Sequence, residues 1–86
     1  MKVYILTLEY QVESGREFEV LRKGYSNLEE AQKHLNRLYE DEVQLGWFKE
    51  DDEDVTITKT DTLWFVDLNC YEKYCQCEII EVEVTN

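Results

Sequence analysis

The polar and apolar positions of the chain follow two different periods, and the change between them divides the sequence into elements. Between residues 26 and 46 the apolar residues recur at helical spacing, which places on one face Leu28, Ala31, Leu35, Leu38 and Leu45. Before and after this segment, apolar residues alternate with polar ones or form short apolar runs, as they do in β-strands. The pattern therefore predicts a single helix in a chain of strands.

Both ends of the predicted helix carry recognisable signals. Ser26 and Glu29 match a capping box, in which the hydroxyl accepts from a first-turn N–H and the carboxylate returns to the N-cap. Gly46 accepts the left-handed conformation that ends a helix. Glu42 falls near the middle of the apolar stripe. We expect its carboxylate to reach water where the helix overhangs the sheet, and a buried, paired or partner-facing carboxylate is the alternative.

Five segments have the alternation or the composition of β-strands, namely residues 2–12, 17–25, 55–60, 62–70 and 75–84. The first two are joined by a turn at residues 13–16 and are expected to form a hairpin. In the second strand we expect Phe18 and Val20 on one face and Leu21 on the other. In the last strand the alternation changes phase at Ile79, which predicts a bulge between Ile79 and Glu81.

The order of elements is β-β-α-β-β-β, which predicts an α+β fold. We expect one domain over residues 1–86, with the single α-helix packed on one face of a mostly antiparallel sheet of about five strands. A helix is about 10 Å across and strands lie about 4.8 Å apart, so one helix covers only two or three strands. The uncovered face, and Trp64 in particular, then needs a covering surface. The predicted solution is a homodimer through the open sheet face or an edge strand.

The charge of the chain limits its partners. Twenty acidic residues against 9 basic ones give a net charge of −11. Such a chain repels phosphate, so direct binding of nucleic acid or of an anionic membrane is not expected, and a basic protein surface is the natural complement. Solubility alone also explains the acidity. No apolar run approaches the roughly 20 residues of a membrane span, and the first residues do not form a signal peptide, so we expect a cytoplasmic protein.

The acidic residues are densest between Glu40 and Asp54, where eight of them accompany one lysine. Trp47 and Phe48 lie inside this run and are expected to fold back over the helix end. An acidic rim around aromatic anchors suits a protein-binding surface, because charge steers the encounter and aromatic side chains hold the contact. The predicted protein-binding residues are Asp41, Glu42, Trp47, Phe48, Glu50, Asp51, Asp52, Glu53, Asp54 and Trp64.

Two other functions remain open from the sequence. One is nucleic-acid mimicry, in which carboxylates spaced like phosphates occupy the nucleic-acid site of a basic protein, as phage or mobile-element anti-defence proteins do. The other is a small-ligand or thiol-redox role of the hairpin that carries Cys70 and Cys75. The favoured reading of these two and of Cys77 is buried, reduced thiols, because an odd number of cysteines argues against a disulfide framework.

The sequence offers little for catalysis or metal binding. The three cysteines lack a fourth ligand nearby and the C-x2-C spacing of zinc sites. The acidic run lacks the glycine and the final glutamate of an EF-hand loop. His34 borders the apolar helix face, where a packing or surface role is expected, because a catalytic histidine needs a partner that orients it. We therefore predict a non-enzymatic protein without cofactor or metal.

Overall fold

The computed structural model describes residues 1–12, 15–69 and 73–85. Its elements are β1 (Lys2–Gln11), β2 (Glu17–Tyr25), α1 (Leu28–Leu45), β3 (Val55–Lys59), β4 (Leu63–Leu68) and β5 (Lys73–Glu83). The predicted α+β fold is confirmed, since α1 packs against a five-stranded antiparallel sheet with the order β2-β1-β5-β4-β3. The first strand therefore pairs with the last one along the chain. The predicted positions of Glu13, Ser14, Cys70, Tyr71 and Glu72 lie outside the described residues.

The core lies between α1 and one face of the sheet. Its centre is Trp64 on β4, which is fully buried and donates its indole N–H to the carbonyl oxygen of Leu35 on α1 at 2.9 Å. The prediction that Trp64 lies on the uncovered face is therefore wrong. Its cross-strand partner Cys77 and its i+2 neighbour Val66 are buried on the same side, because alternate residues of a strand share a face.

A bulge in β2 changes which of its residues face α1. Leu8 pairs with Leu21 and Glu9 pairs with Glu19, so Val20 is an extra residue in the ladder. One inserted residue reverses the alternation of the strand beyond it. Phe18, opposite Tyr10, and Leu21 therefore lie on the helix side, and the prediction that they occupy opposite faces is wrong.

In β5, by contrast, a bulge was predicted and the structure has none. Its register with β1 runs without a shift from Lys2↔Glu83 to Gln11↔Tyr74, so the bulge predicted near Ile79 is wrong. The alternation changes because the apolar residues of β5 switch from one face of the sheet to the other. Ile79 is buried under α1, whereas Ile80 and Val82 lie opposite Ile5 and Val3 on the sheet face turned away from α1, called here the open face. This end of the open face is apolar and exposed.

The sequence predicted the C-terminal end of α1 correctly but assigned the N-cap to the wrong residue. The N-cap is Asn27 and not Ser26, since Asn27 Oδ1 accepts from the N–H groups of Glu29 at 2.7 Å and Glu30 at 3.4 Å. Gly46 ends the helix with φ of 76°, as predicted. Leu45 was expected on the buried face, and this expectation is wrong, since Leu45 is 78% exposed.

Candidate protein-binding site at the helix end

A chain of touching aromatic rings runs from the core to the surface at the C-terminal end of α1. Gly46 turns the backbone so that Trp47 and Phe48 fold back over the helix end, as predicted. Neighbouring rings have centroids 5.6 to 6.3 Å apart, in the order Trp64, Tyr39, Phe48, Trp47, Tyr10 and Phe18. Such pairs stabilise a fold by about 0.5–1.5 kcal/mol each beyond the area they bury. The surface end of this chain is therefore held rigidly by the core.

The surface end opens into a depression, called here the aromatic groove. It opens to solvent, has a volume of about 310 Å³ and is lined by Tyr10, Val12, Phe18, Glu42, Leu45 and Trp47. The lining is mainly apolar, and Leu45 and Phe18 are exposed to solvent. Exposed apolar surface in a concave position is typical of a binding site.

Glu42 lies at the base of the aromatic groove and is buried, so the expectation that its carboxylate reaches water is wrong. Only 6% of the residue is exposed, and its Oε1 accepts a hydrogen bond from the Tyr10 hydroxyl. This donor is what makes a carboxylate tolerable at a buried position. Burial and the hydrogen bond to Glu42 raise the pKa of Tyr10 well above its usual value, so the hydroxyl keeps its proton and remains a donor.

The acidic loop, residues 49–54, lies beside Trp47, a residue that also lines the aromatic groove. Glu50 accepts a hydrogen bond from the Tyr39 hydroxyl at 2.7 Å, and Asp52 Oδ1 accepts one from the Asp54 N–H at 2.9 Å. A second depression, lined by Trp47, Asp52 and Asp54 among others, adjoins the first one through the Trp47 ring. The loop is thus attached to the fold while its carboxylates stay exposed, and those of Asp52 and Asp54 lie beside Trp47.

The structure brings together some of the predicted protein-binding residues. Asp52 and Asp54 share one depression with the half-buried Trp47, Glu42 shares the aromatic groove with it, and the exposed Asp41 lies beside Leu45. Phe48 and Trp64 are 4% and 0% exposed, so they support the site from beneath and are corrected as contact residues. The residues that the sequence did not reveal are Tyr10, Val12, Phe18 and Leu45. The bulge at Val20 hid Phe18, because strict alternation assigns it to the wrong face.

The cysteines show no chemistry at this site. Cys75 and Cys77 are free and fully buried. Burial raises the pKa of Cys77 to about 12, and burial together with the Glu42 charge raises the pKa of Cys75. Neither thiol is therefore a ready nucleophile. Cys70, the other cysteine of the predicted hairpin, lies outside the described residues.

Two further absences hold within the described residues. No group of three or more His, Cys, Asp or Glu side chains among residues 1–12, 15–69 and 73–85 is placed to hold a metal ion. In the same ranges, no helix is long and apolar enough to cross a membrane. Comparison of the chain with protein-family models, with curated proteins and with solved structures gives no match.

Proposed function

We propose that this chain is a small non-enzymatic interaction module that binds a basic protein segment at the aromatic groove. The observation that carries the proposal is the position of this apolar groove beside the acidic loop, with Trp47 forming a wall of both. Groove and loop offer a partner two different kinds of contact at one place. The exposed apolar surface binds by burial, and the carboxylates attract positive charge.

The partner's chemistry follows from the lining. One apolar side chain of the partner fills the space between Leu45, Phe18 and Trp47. Lysine or arginine residues on either side of this anchor then lie next to Asp41 and the acidic loop. The groove walls are already fixed by the ring contacts behind them, so little side-chain entropy is lost on binding. A short basic segment with one central apolar anchor fits this description.

The nucleic-acid mimic remains the alternative within the same class of function. A mimic presents spaced carboxylates to a site that binds phosphates. Because such a site binds through charge and hydrogen bonds, an apolar groove contributes little to binding there. The exposed Leu45 and Phe18 therefore favour the apolar anchor over mimicry. A cytoplasmic location also remains a proposal, and it is supported by the two buried, unpaired thiols.

The test begins with capture of a partner from the native host and then measures binding kinetics of variants. Leu45→Ser removes exposed apolar surface at little cost to the fold, since Leu45 is 78% exposed. It should speed dissociation and weaken binding about tenfold, which corresponds to about 1.4 kcal/mol. Neutralising Asp51, Asp52 and Asp54 to asparagine should slow association about tenfold at low salt and leave dissociation nearly unchanged.

A matched control carries the same change of charge away from the groove. Glu29→Gln, Glu81→Gln and Glu83→Gln together neutralise three exposed carboxylates on the helix N-terminus and the end of β5. This variant should associate nearly as fast as the wild type. Equal slowing by both triple variants would reduce the effect to net charge. Binding unaffected by Leu45→Ser and competed by a DNA or RNA duplex would replace the proposal with mimicry.

A further inference from the structure

A second groove, nearer the N-terminal end of α1 than the aromatic groove, is basic in this acidic chain. It lies between the edge strand β2 and residues 30–37 of α1, opens to solvent and has a volume of about 330 Å³. The side chains that line this basic groove are Lys23 and Tyr25 from β2 and Glu30, Lys33, His34 and Arg37 from α1. Three of the nine basic residues of the chain and its single histidine thus meet at one place.

The sequence explains how these residues come together. Positions 30, 33, 34 and 37 are spaced by three and four residues, so they share one side of α1. Lys23 and Tyr25 are two apart on β2 and share the face that is turned toward the helix, where Tyr25 packs against the core. The bulge at Val20 also affects this side, because it sets the phase of β2 relative to β1. Strand and helix therefore present their basic side chains to the same groove.

The interior contacts of the basic groove order its donors. The Tyr25 hydroxyl lies 2.6 Å from His34 Nδ1, and the two rings meet edge to face. With the hydroxyl donating, the neutral imidazole carries its proton on Nε2, where it is a second donor. Lys23 Nζ lies 5.1 Å from the centre of the Tyr25 ring. The histidine is thus held by a partner, which the sequence alone did not indicate.

The charges do not cancel within the basic groove. Glu30 faces Lys33 at 3.9 Å, and both side chains are well exposed, so this pair is weak. Lys23 and Arg37 are left as two uncompensated cations among the lining residues. At physiological salt charges are screened over about 8 Å, so the acidic loop at the far end of α1 does not neutralise this groove. The local surplus of two positive charges matches the two negative charges of a phosphate dianion.

We infer that the basic groove is a binding site for a phosphate dianion, either free or as the monoester of a small molecule. Arg37 supplies the planar fork that matches two phosphate oxygens, Lys23 and Lys33 supply point charges, and His34 supplies an imidazole donor. A long polyanion is disfavoured by the net charge of −11, whereas a small dianion meets only the local field. This site is separate from the aromatic groove and does not depend on the proposed partner.

Binding should be coupled to the protonation of His34. Burial and the nearby charges of Lys23 and Arg37 lower the pKa of His34, while Asp41 opposes them. Tyr25, Lys33 and Glu30 complete the set of groups around the imidazole. A bound dianion offsets the cations and raises the pKa of His34, so the complex binds more protons than the free protein. Binding therefore tightens as the pH falls through the pKa of His34 in the complex.

The experiment uses the single histidine as its own probe, because its ring proton and carbon signals are unambiguous in an NMR spectrum. Titration with inorganic phosphate should shift these signals with a saturable curve, whereas sodium chloride at equal ionic strength should not. Phenyl phosphate tests whether a small-molecule monoester is the ligand. If it is, phenyl phosphate should saturate at a concentration similar to or lower than that of inorganic phosphate. If the ligand is free phosphate, phenyl phosphate should not bind. The pH dependence is measured with sulfate, which stays a dianion over the pH range in which His34 titrates. Bound sulfate should raise the pKa of His34.

Variants assign the effect to the basic groove. Arg37→Gln and Lys23→Gln should each weaken phosphate binding about tenfold, because each removes a charged hydrogen-bond donor. Lys49→Gln removes the same charge from the acidic loop and should leave binding unchanged. The inference is overturned if phosphate shifts the His34 signals no more than sodium chloride does. Equal weakening by Lys49→Gln would also overturn it, since binding would then follow net charge alone.

Discussion

At the scale of single residues, the pair formed by Tyr10 and Glu42 connects the core to the aromatic groove. A buried carboxylate near the C-terminal end of a helix is unfavourable on two counts, since it loses its hydration and faces the negative end of the helix dipole. The Tyr10 hydroxyl offsets part of this cost by donating to Glu42. The sequence showed that Glu42 breaks the apolar stripe, but it could not show that residue 10 lies opposite, because this contact joins residues 32 positions apart.

Removal of one member of this pair should cost more than removal of both. Tyr10→Phe leaves the Glu42 carboxylate without its donor at a site only 6% exposed, and we expect a loss of about 1–3 kcal/mol in the free energy of unfolding. The double variant Tyr10→Phe and Glu42→Leu should recover much of this loss, because no polar group is then left unpaired. Urea unfolding at neutral pH measures both, with Tyr4→Phe on the same strand as control. A double variant less stable than Tyr10→Phe alone would contradict this account.

The buried thiols predict how stability depends on alkaline pH. In the unfolded chain a cysteine ionises near pH 8.5, whereas folding raises the pKa of Cys77 to about 12 and also raises that of Cys75. Above about pH 8.5 the unfolded chain binds fewer protons than the native one, so the free energy of unfolding falls as pH rises. Each thiol contributes at most about 1.4 kcal/mol per pH unit.

Urea unfolding between about pH 8 and pH 10.5 measures this dependence. The double variant with Cys75→Ala and Cys77→Ala should show a lower stability at pH 8, from the small cavities, and a flatter decline above it. Tyr10 contributes in the same direction above its ordinary pKa and remains in both proteins. Parallel curves for the two proteins would show that the thiols do not cause the decline.

At the scale of elements, the sequence predicted the existence and type of each helix and strand that the structure describes, but it did not predict the phases of β2 and β5. Period and composition decide whether a segment is helix or strand, and both are local properties. The phase of β2 depends on Val20, which has no partner in the ladder, and the phase of β5 depends on pairing with β1 along its whole length. An apolar residue on an open face and an inserted residue produce the same break in alternation. Only the partner strand distinguishes them.

The N-cap of α1 also depends on structure that the local sequence does not specify. Ser26 and Asn27 are both good capping residues, and they are adjacent in the chain. Asn27 has the extended backbone of an N-cap, with φ of −135° and ψ of 125°, and its side chain accepts from two N–H groups. The exit of the chain from β2 at Tyr25 decides which residue takes this conformation, and that exit is a property of the sheet.

The assignment of the cap predicts two different stabilities. Asn27→Ala removes the acceptor for the Glu29 and Glu30 N–H groups and should lower the free energy of unfolding by about 1 kcal/mol. Ser26→Ala should change it by no more than a few tenths of a kcal/mol, because Ser26 lies one position before the cap. Chemical denaturation of both variants measures the difference. The opposite order of stabilities would restore Ser26 as the cap.

At the scale of the whole molecule, the surfaces proposed for protein partners are the aromatic groove with the acidic loop and the open face, and they respond differently to salt. The aromatic groove and the acidic loop attract a basic partner, so their binding weakens as salt increases. The open face is apolar around Ile5, Ile80 and Val82, and a second copy of this chain is the partner that the sequence predicted for it. Two copies with a charge of −11 each repel one another, so self-association should strengthen as salt increases.

Sedimentation equilibrium at micromolar concentration tests self-association. We predict a dimer mass that increases with salt, and Ile80→Asp should shift the mass to that of the monomer by placing a charge in the apolar open face. Leu45→Asp makes the same chemical change on the other side of the molecule and should leave the dimer intact. A monomer mass for the wild type at all salt concentrations would rule out the open face as a dimer interface.

The pairing of β1 with β5 has a consequence for the order of folding. Partners such as Lys2 and Glu83 are almost as far apart along the chain as its length permits, so this central ladder has a high contact order and is expected to form slowly. Until β5 is present, β1 is paired on one edge only, and β4 lacks its neighbour on the inner side. A ribosome releases β5 after every other element. The nascent chain therefore carries an unpaired hydrophobic strand edge until β5 has been synthesised, and a chain truncated before Lys73 keeps that edge.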